Sequence, residues 1–410
     1  MKQKKKKNKK WTKPRHKVVR ALLNLPIKLL CKMLYGIKIT KFKDSKKRPY
    51  LILYNHQTAF DQFFVGAAFN RPIYYLASED LFSNGFVSSL IKFLVEPIPI
   101  KKQTTDIKAI LNCIRVAKEG GSIAIAPEGN RTYSGETVYM SPTIAPLARK
   151  LGIPILLFRI EGGYGVQPRW SDVKRKGKMR GFVSRVIEPE EYKDLSDDEL
   201  FAIIRDGLYQ NEAVADARFV HKKSAEYIER AIYTCPDCGL TVLESHGDIV
   251  ECKKCGKQIR YLPTKELEGV NCDFPHRFLL DWYNAQIDFV NTLDLSEYHD
   301  KPLYENYAEI REVIPCKKKV PVYPWGRITL FGNRVEIEMK ETTVVHLFDE
   351  CSAITVLGRN KLNIYTGGKI YQLKGDKRFC ALEFVNIYHR YKNIKKGDEN
   401  GTECSTFLGL

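Results

Sequence analysis

Between residue 46 and about residue 215, short apolar runs alternate with segments of helical periodicity, and this alternation admits few folds. Residues 50–54, 73–77, 122–126 and 153–158 read as strands. Residues 61–69 and 80–94 read as helices. From Asp106, a residue suited to capping a helix, Ile107, Ile110, Leu111 and Ile114 repeat at i, i+3, i+4 and i+7 until Gly120-Gly121 ends the segment. Pro142 fits a first helical turn and Gly152 a helix stop. Strands and helices in this order build an α/β domain over 46–215.

In open α/β sheets, ligands bind beyond the carboxyl ends of the strands. Two polar clusters fall there. Asn55-His56 follows the first strand, with Asp61 five residues after the histidine, and Pro127-Glu128-Gly129-Asn130-Arg131-Thr132 follows another. On one continuous helix, His56 and Asp61 would stand about 140° apart, so they meet only if the chain turns between them. Asp61 would then accept the second ring N–H of His56 and raise the basicity of the free nitrogen. With no serine or cysteine partner in the pattern, the couple suits direct general-base catalysis on a substrate hydroxyl that attacks an activated acyl group. Arg131 is suited to hold a phosphate in a bidentate contact. Spacing alone equally allows a surface His–Asp pair beside an ordinary turn.

Asn55-His56, four residues and then Asp61 resembles the NHxxxxD motif of the glycerolipid acyltransferases, the superfamily of 1-acylglycerol-3-phosphate O-acyltransferases of the PlsC type. The 127–132 cluster is similar to that family's PEGTRS motif, and Ile153-Pro154-Ile155 to its later hydrophobic-proline motif. The resemblance implies His56 as general base and Asp61 as its orienting partner. It places Glu128, Gly129 and Arg131 in the acceptor-phosphate site, with Lys102 where the family's second motif has arginine. It also implies acyl-CoA or acyl carrier protein as donor, a lysophospholipid acceptor and a role in phospholipid biosynthesis. The expected acceptor is 1-acylglycerol-3-phosphate. Glu96, Lys102, Ala126 and Asn130 depart from the family pattern, which leaves another lipid acceptor open.

The first fifty residues hold nineteen lysines and arginines against the single acid Asp44, a surplus of eighteen out of the chain's +19. The charge therefore belongs to a basic tail, 1–15, and to the segment directly after it. Over 16–45, Val18, Val19, Leu22, Leu23, Leu29, Leu30, Met33 and Leu34 recur at helical spacing among basic residues, and Pro26 is expected to bend or divide the helix. A basic tail joined to a cationic amphipathic helix reads as attachment to an anionic membrane surface. Nucleic acid would attract the tail but leaves the apolar face unexplained, so a nucleic-acid partner is not expected. No apolar run reaches the ~18 residues of a membrane span, and a secretory signal is not expected. The expected place is the cytoplasmic face of the cell membrane, as a peripheral protein.

Cys235, Cys238, Cys252 and Cys255 form two CxxC knuckles thirteen residues apart, the spacing of a four-sulfur structural zinc site, a zinc ribbon over 230–262. A helical connector is expected over 263–319. From 320 to 395 hairpin signals at Gly332-Asn333, Gly358-Arg359-Asn360 and Gly367-Gly368 predict a β-rich domain closed by a helix, loosely similar in element order to a PH- or GRAM-like barrel. Residues 396–410 read as a tail. The rival reading is a nucleic-acid-binding zinc-ribbon protein without enzymatic activity.

Overall fold

The computed structural model describes residues 10–43, 46–100, 106–137, 139–214 and 216–397. Most of the 1–15 and 396–410 tails therefore lies outside the described residues.

The N-terminal part is a seven-stranded sheet: β1 (Ile37–Ile39), β2 (Leu51–Tyr54), β3 (Ile73–Ser78), β4 (Ile98–Ile100), β5 (Ser122–Ile125), β6 (Ile155–Glu161) and β7 (Met179–Ile187), in the order β1-β7-β6-β2-β5-β3-β4. The central strand β2 pairs in parallel with both β5 and β6, and only β7 runs antiparallel to its neighbour β6. All four residues of β2 are buried, as a central parallel strand requires. Its side chains alternate between two cores. Leu51 and Leu53 face α4 (Ile107–Lys118), α5 (Ile144–Leu151) and α8 (Asp197–Leu208); Ile52 and Tyr54 face α1 (Pro14–Tyr35) and α2 (Asp61–Ala68). Each leucine or phenylalanine fully buried there contributes about 1.5–3 kcal/mol relative to exposure.

Several boundaries differ from the sequence reading. The chain stays helical through Pro26, which lies on the exposed side of α1, where water can satisfy the carbonyl that a proline leaves without a donor. The 16–45 helix ends at Tyr35 because Gly36 takes a left-handed conformation, φ 62°; the next residues form β1, paired with β7. The 80–94 helix is broken at Gly85, φ 58°, into a 3₁₀ turn and α3 (Phe86–Leu94).

Two one-turn helices flank β7: α6 (Gly163–Val166), between β6 and β7, and α7 (Pro189–Tyr192), directly after it. The short pair β8 (Thr234–Cys235) and β9 (Gly239–Leu240) carries the first knuckle. An antiparallel sheet of β10 (Leu243–His246), β11 (Ile249–Cys252), β12 (Gln258–Tyr261) and β13 (Leu267–Gly269) carries the second, so this unit extends past residue 262.

The expected connector is helical only in α9 (Leu279–Thr292) and one 3₁₀ turn. Tyr304–Ile314 is a strand, β14, although Ala308, Glu309, Arg311 and Glu312 are helix formers. Pairing on both edges overrides their local preference. The C-terminal domain thus begins at Tyr304, not at 320. It comprises β14, β15 (Lys318–Leu330), β16 (Arg334–Glu338), β17 (Thr343–Leu347), β18 (Cys351–Leu357), β19 (Lys361–Thr366) and β20 (Lys369–Gly375), in the order β17-β16-β15-β14-β20-β19-β18, with α10 (Ala381–Lys395) packed on it.

These parts share one core. Trp170 of the N-terminal part meets Tyr261 of β12 edge-on, with Arg175 stacked on both rings. Arg230, 2% exposed, donates to Trp170 O at 2.9 Å, to Lys377 O at 2.6 Å and to Asp172 Oδ1 at 2.7 Å. One guanidinium thereby ties three segments together.

Candidate active site

Register fixes the site. Leu53 of β2 stands opposite Ile125 of β5, so His56 and Glu128, three residues beyond each, emerge side by side. The backbone N–H of His56 donates to Glu128 Oε1 at 2.8 Å, joining the two loops. Asn55 fastens the first loop from the other side. Its amide donates to Ile160 O at 2.8 Å and accepts from Ile160 N at 2.7 Å, clamping the end of β2 to β6.

The chain turns after His56 and enters α2 at Asp61. His56 Nδ1 and Asp61 Oδ2 lie 2.8 Å apart. Asp61 is fully buried and also accepts from Gln57 N at 2.7 Å, Thr58 N at 3.0 Å and Thr58 Oγ1 at 2.7 Å. These donors occupy the carboxyl oxygens and fix their direction. The His56 side chain is about one quarter exposed, so its ring meets solvent while its partner does not. A hydrogen bond at Nδ1 leaves Nε2 as the free nitrogen.

Glu128 is buried, and burial pushes its carboxyl up to about 8; the His56 amide pulls the other way and the Asp61 charge adds to the rise. Gly129 holds φ 69°, a conformation that favours glycine, and donates its N–H to Ala126 O at 3.1 Å, which folds the loop back over β5. The Nη1 of Arg131 is buried and finds no hydrogen-bond partner among the described residues. Burial, reinforced by Arg169 and Arg359, lowers the Arg131 guanidinium to about 10. Lys102 lies outside the described residues.

Three contributors were not singled out from sequence. Arg169, 2% exposed, donates to Arg131 O at 3.0 Å and stacks on the Tyr133 ring at 4.4 Å. Tyr35, at the end of α1, donates to Gln167 Oε1 at 2.7 Å and meets the Phe60 ring at 5.3 Å. Lys174 Nζ stands 4.6 Å above the Tyr35 ring. All three act across long sequence separations, and no local pattern signals them.

The cysteine sulfurs of Cys235, Cys238, Cys252 and Cys255 all lie within 4.8 Å of one another. Cys235 Sγ and Cys255 Sγ are 3.7 Å apart, close to the ~3.8 Å edge of a tetrahedron with metal–sulfur bonds of about 2.3 Å and far beyond a disulfide bond. Four thiols in this arrangement could hold a metal ion. His246 is exposed and turns to Glu244, away from that role.

The Acyltransferase family model matches residues 36–161, which include both loops. A 1-acyl-sn-glycerol-3-phosphate acyltransferase of Bacillus subtilis (strain 168) is 24% identical over 138 residues, 34% of this chain and 66% of that protein. A probable 1-acyl-sn-glycerol-3-phosphate acyltransferase of Mycoplasma genitalium is 24% identical over 188 residues, 42% of this chain and 69% of that protein. The chain thus spans about two thirds of the length of these relatives. The crystal structure of PlsC, the LPA acyltransferase from Thermotoga maritima, aligns with a TM-score of 0.40 at 21% identity, over 47% of this chain and 77% of that one.

Because its pKa is raised, native Glu128 holds its proton more tightly than the unfolded chain does. The resulting stabilisation is complete below the ordinary carboxyl range and is lost as pH rises through about 8. Glu128→Gln keeps an oxygen acceptor for the His56 amide but cannot ionise. Between about pH 5 and pH 8, the stability difference should move in favour of the variant. Chemical denaturation of both proteins at the two pH values measures it, and a difference independent of pH contradicts the assignment.

Proposed function

The chain belongs, through residues 36–161, to the glycerolipid acyltransferase superfamily, and from that premise we propose that it moves a fatty acyl group from acyl-CoA or acyl carrier protein to the free hydroxyl of 1-acylglycerol-3-phosphate. One observation carries this reading: the 2.8 Å contact from His56 Nδ1 to Asp61 Oδ2, at the end of a strand whose neighbour presents Arg131. His56 Nε2 takes the hydroxyl proton as the acceptor oxygen attacks the thioester carbonyl. The carbonyl reforms, the carrier thiolate leaves, and the proton on His56 returns to that sulfur. Asp61 holds the ring and stabilises the imidazolium that forms. No covalent acyl-enzyme is required.

Arg131 is the phosphate contact in this reading, and its buried Nη1, which has no hydrogen-bond partner among the described residues, supports it. Glu128 serves by fixing the His56 backbone, since a carboxyl group offers a phosphate no cation. Gly129 shapes the loop. Lys102 remains a proposed second cation.

The four cysteines are proposed to hold one structural zinc. Four thiolates fill a tetrahedral shell and leave no position for substrate, so the ion's part is to close the two knuckles, and the acyl transfer does not pass through it. The seven antiparallel strands and closing helix of the C-terminal domain supply the element order on which a PH- or GRAM-like reading rests.

Attachment to an anionic membrane surface is proposed through α1. Val18, Leu22, Leu25, Leu29 and Met33 are all exposed there, Met33 at 75%, although each is apolar. The neighbouring α3, held by Arg15 stacked on Phe93, exposes Phe86, Val87, Leu90 and Phe93. No helix among the described residues is long and apolar enough to cross a membrane. This reading puts the protein on the cytoplasmic face of the cell membrane.

Three experiments test these assignments. His56→Ala should remove nearly all acyl transfer in a folded protein, and Asp61→Asn should lower it roughly 10²-fold or more. Near-normal thioester consumption by purified His56→Ala would refute the proposed base. For the metal, elemental analysis should find one zinc per chain, and Cys235→Ser should lose it together with stability of the C-terminal half; purified wild type free of zinc argues the other way. For the membrane, binding to anionic vesicles should weaken with salt yet persist, because salt screens the lysines but not the leucines. Leu22→Asp combined with Leu29→Asp should abolish the salt-resistant part. Unchanged vesicle sedimentation by that variant would place attachment elsewhere.

A further inference from the structure

The turn Gly358-Arg359-Asn360 joins β18 to β19 in the C-terminal domain, more than two hundred residues after the catalytic loops. A hairpin turn of this kind ordinarily projects into solvent. This one is docked on the acyltransferase domain. Arg169, whose guanidinium donates to Arg131 O at 3.0 Å, also donates to Gly358 O at 3.3 Å and Val356 O at 3.4 Å. A single buried side chain therefore fixes the turn and the loop carrying Arg131 against each other.

The docked turn delivers a cation. Arg359 Nη1 lies 3.1 Å from Asp172 Oδ1, and the same carboxylate is shared with Arg230 at 2.7 Å. The Arg359 side chain stays 28% exposed. Two residues beyond Asp172, Lys174 Nζ lies over the rings of Tyr35, at 4.6 Å, and Phe60, at 5.5 Å; Phe60 directly precedes Asp61. Arg359 thus comes within electrostatic reach of both Arg131 and Lys174, and Arg131 within reach of Asp61, so three separate parts of the chain bring cations into one neighbourhood. The nearby acids are engaged: Asp61 by its loop and His56, Asp172 by two arginines, Glu128 by the His56 amide. The cations also feel one another. Burial first and Arg359 second depress Lys174, and Arg359 helps to depress Arg131. Such a cluster suits an anion of more than one charge.

We propose that Arg359, brought in by the C-terminal domain, is a specificity residue of the acceptor site, and that with Arg131 and Lys174 it selects lysolipids whose headgroup is a phosphate monoester. This rests on the acyltransferase reading above. A phosphate monoester carries about 1.5 to 2 negative charges near pH 7. A choline phosphodiester carries one, beside a fixed positive charge that a third cation repels. Like-charge repulsion against the wrong headgroup and attraction for the right one then act together.

The test uses the full chain and short-chain acceptors that need no membrane. Rates are measured on 1-hexanoylglycerol-3-phosphate and on its glycerophosphocholine counterpart, for wild type, Arg359→Gln and Arg359→Lys. Arg359→Gln should raise the KM for the monoester roughly tenfold or more, the scale of one lost charge-assisted contact, and by a larger factor than it lowers kcat. The preference for monoester over choline diester should fall in proportion, and Arg359→Lys should recover part of it. A preference unchanged in Arg359→Gln overturns the proposal. So does a lowered melting temperature with the preference intact, which makes Arg359 only a strut between domains. If wild type acylates neither acceptor, the enzymatic reading fails instead. Calorimetric titration of glycerol-3-phosphate and glycerophosphocholine into wild type and Arg359→Gln then decides Arg359 by itself, and equal monoester affinity for both proteins refutes the inference.

Discussion

Parallel pairing of β2 with β5, at the register Leu53 opposite Ile125, is the constraint that sets the site. Residues equally far beyond two paired parallel strands stand abreast, so His56 and Glu128 need no special device to meet. A shift of one residue would turn Leu51 and Leu53 from one core to the other and would separate the two loops. The hydrophobic cores on the two faces of the sheet therefore fix the register, and through it the spacing of groups that take no part in the core. Asn55 extends this logic by one residue. Its amide satisfies both backbone groups of Ile160 and holds the loop at the point where strand pairing stops.

The site divides its polar work by burial. Asp61 is sealed from solvent but receives three local donors besides His56, so its charge is balanced where it lies. Glu128 is nearly as buried and receives one, and its proton is correspondingly harder to remove. Two carboxyl groups beside one histidine would repel each other if both were charged. Burial first, with the Asp61 charge behind it, raises the Glu128 carboxyl and so weakens that repulsion.

Much of this is legible in the sequence because its signals are local. The apolar run before Asn55, the five-residue step from His56 to Asp61 and the cap at Asp106 depend on neighbours in the chain, and Asp106 does accept from Ala109 N at 3.1 Å. The four-cysteine cluster is equally legible, since CxxC spacing fixes each pair of sulfurs by itself. The features that escape are decided at long range. Tyr304–Ile314 carries helix-forming residues and becomes a strand because β15 and β20 flank it. Pro26 signals a break, but on an exposed face the lost hydrogen bond can go to water. Arg169, Lys174 and Tyr35 come to the site from other parts of the chain, with no motif of their own.

The cysteine segment and the C-terminal domain are joined to the acyltransferase domain by more than a linker. One hydrophobic core runs from Tyr133, Tyr164 and Trp170 through Tyr261 and Trp282 to the strands and closing helix of the C-terminal domain. Arg230 and Arg169 cross the same boundary with multiple hydrogen bonds, and buried guanidinium groups are costly to leave unpaired. Apolar burial holds the parts together, and these directional contacts set how they are aligned. The alignment matters because Tyr133 and Arg131 are two residues apart on the same loop. Whatever fixes Tyr133 in the shared core also limits where Arg131 can move. The appended domains therefore bear on the loop of Glu128 and Arg131 through packing as well as through charge.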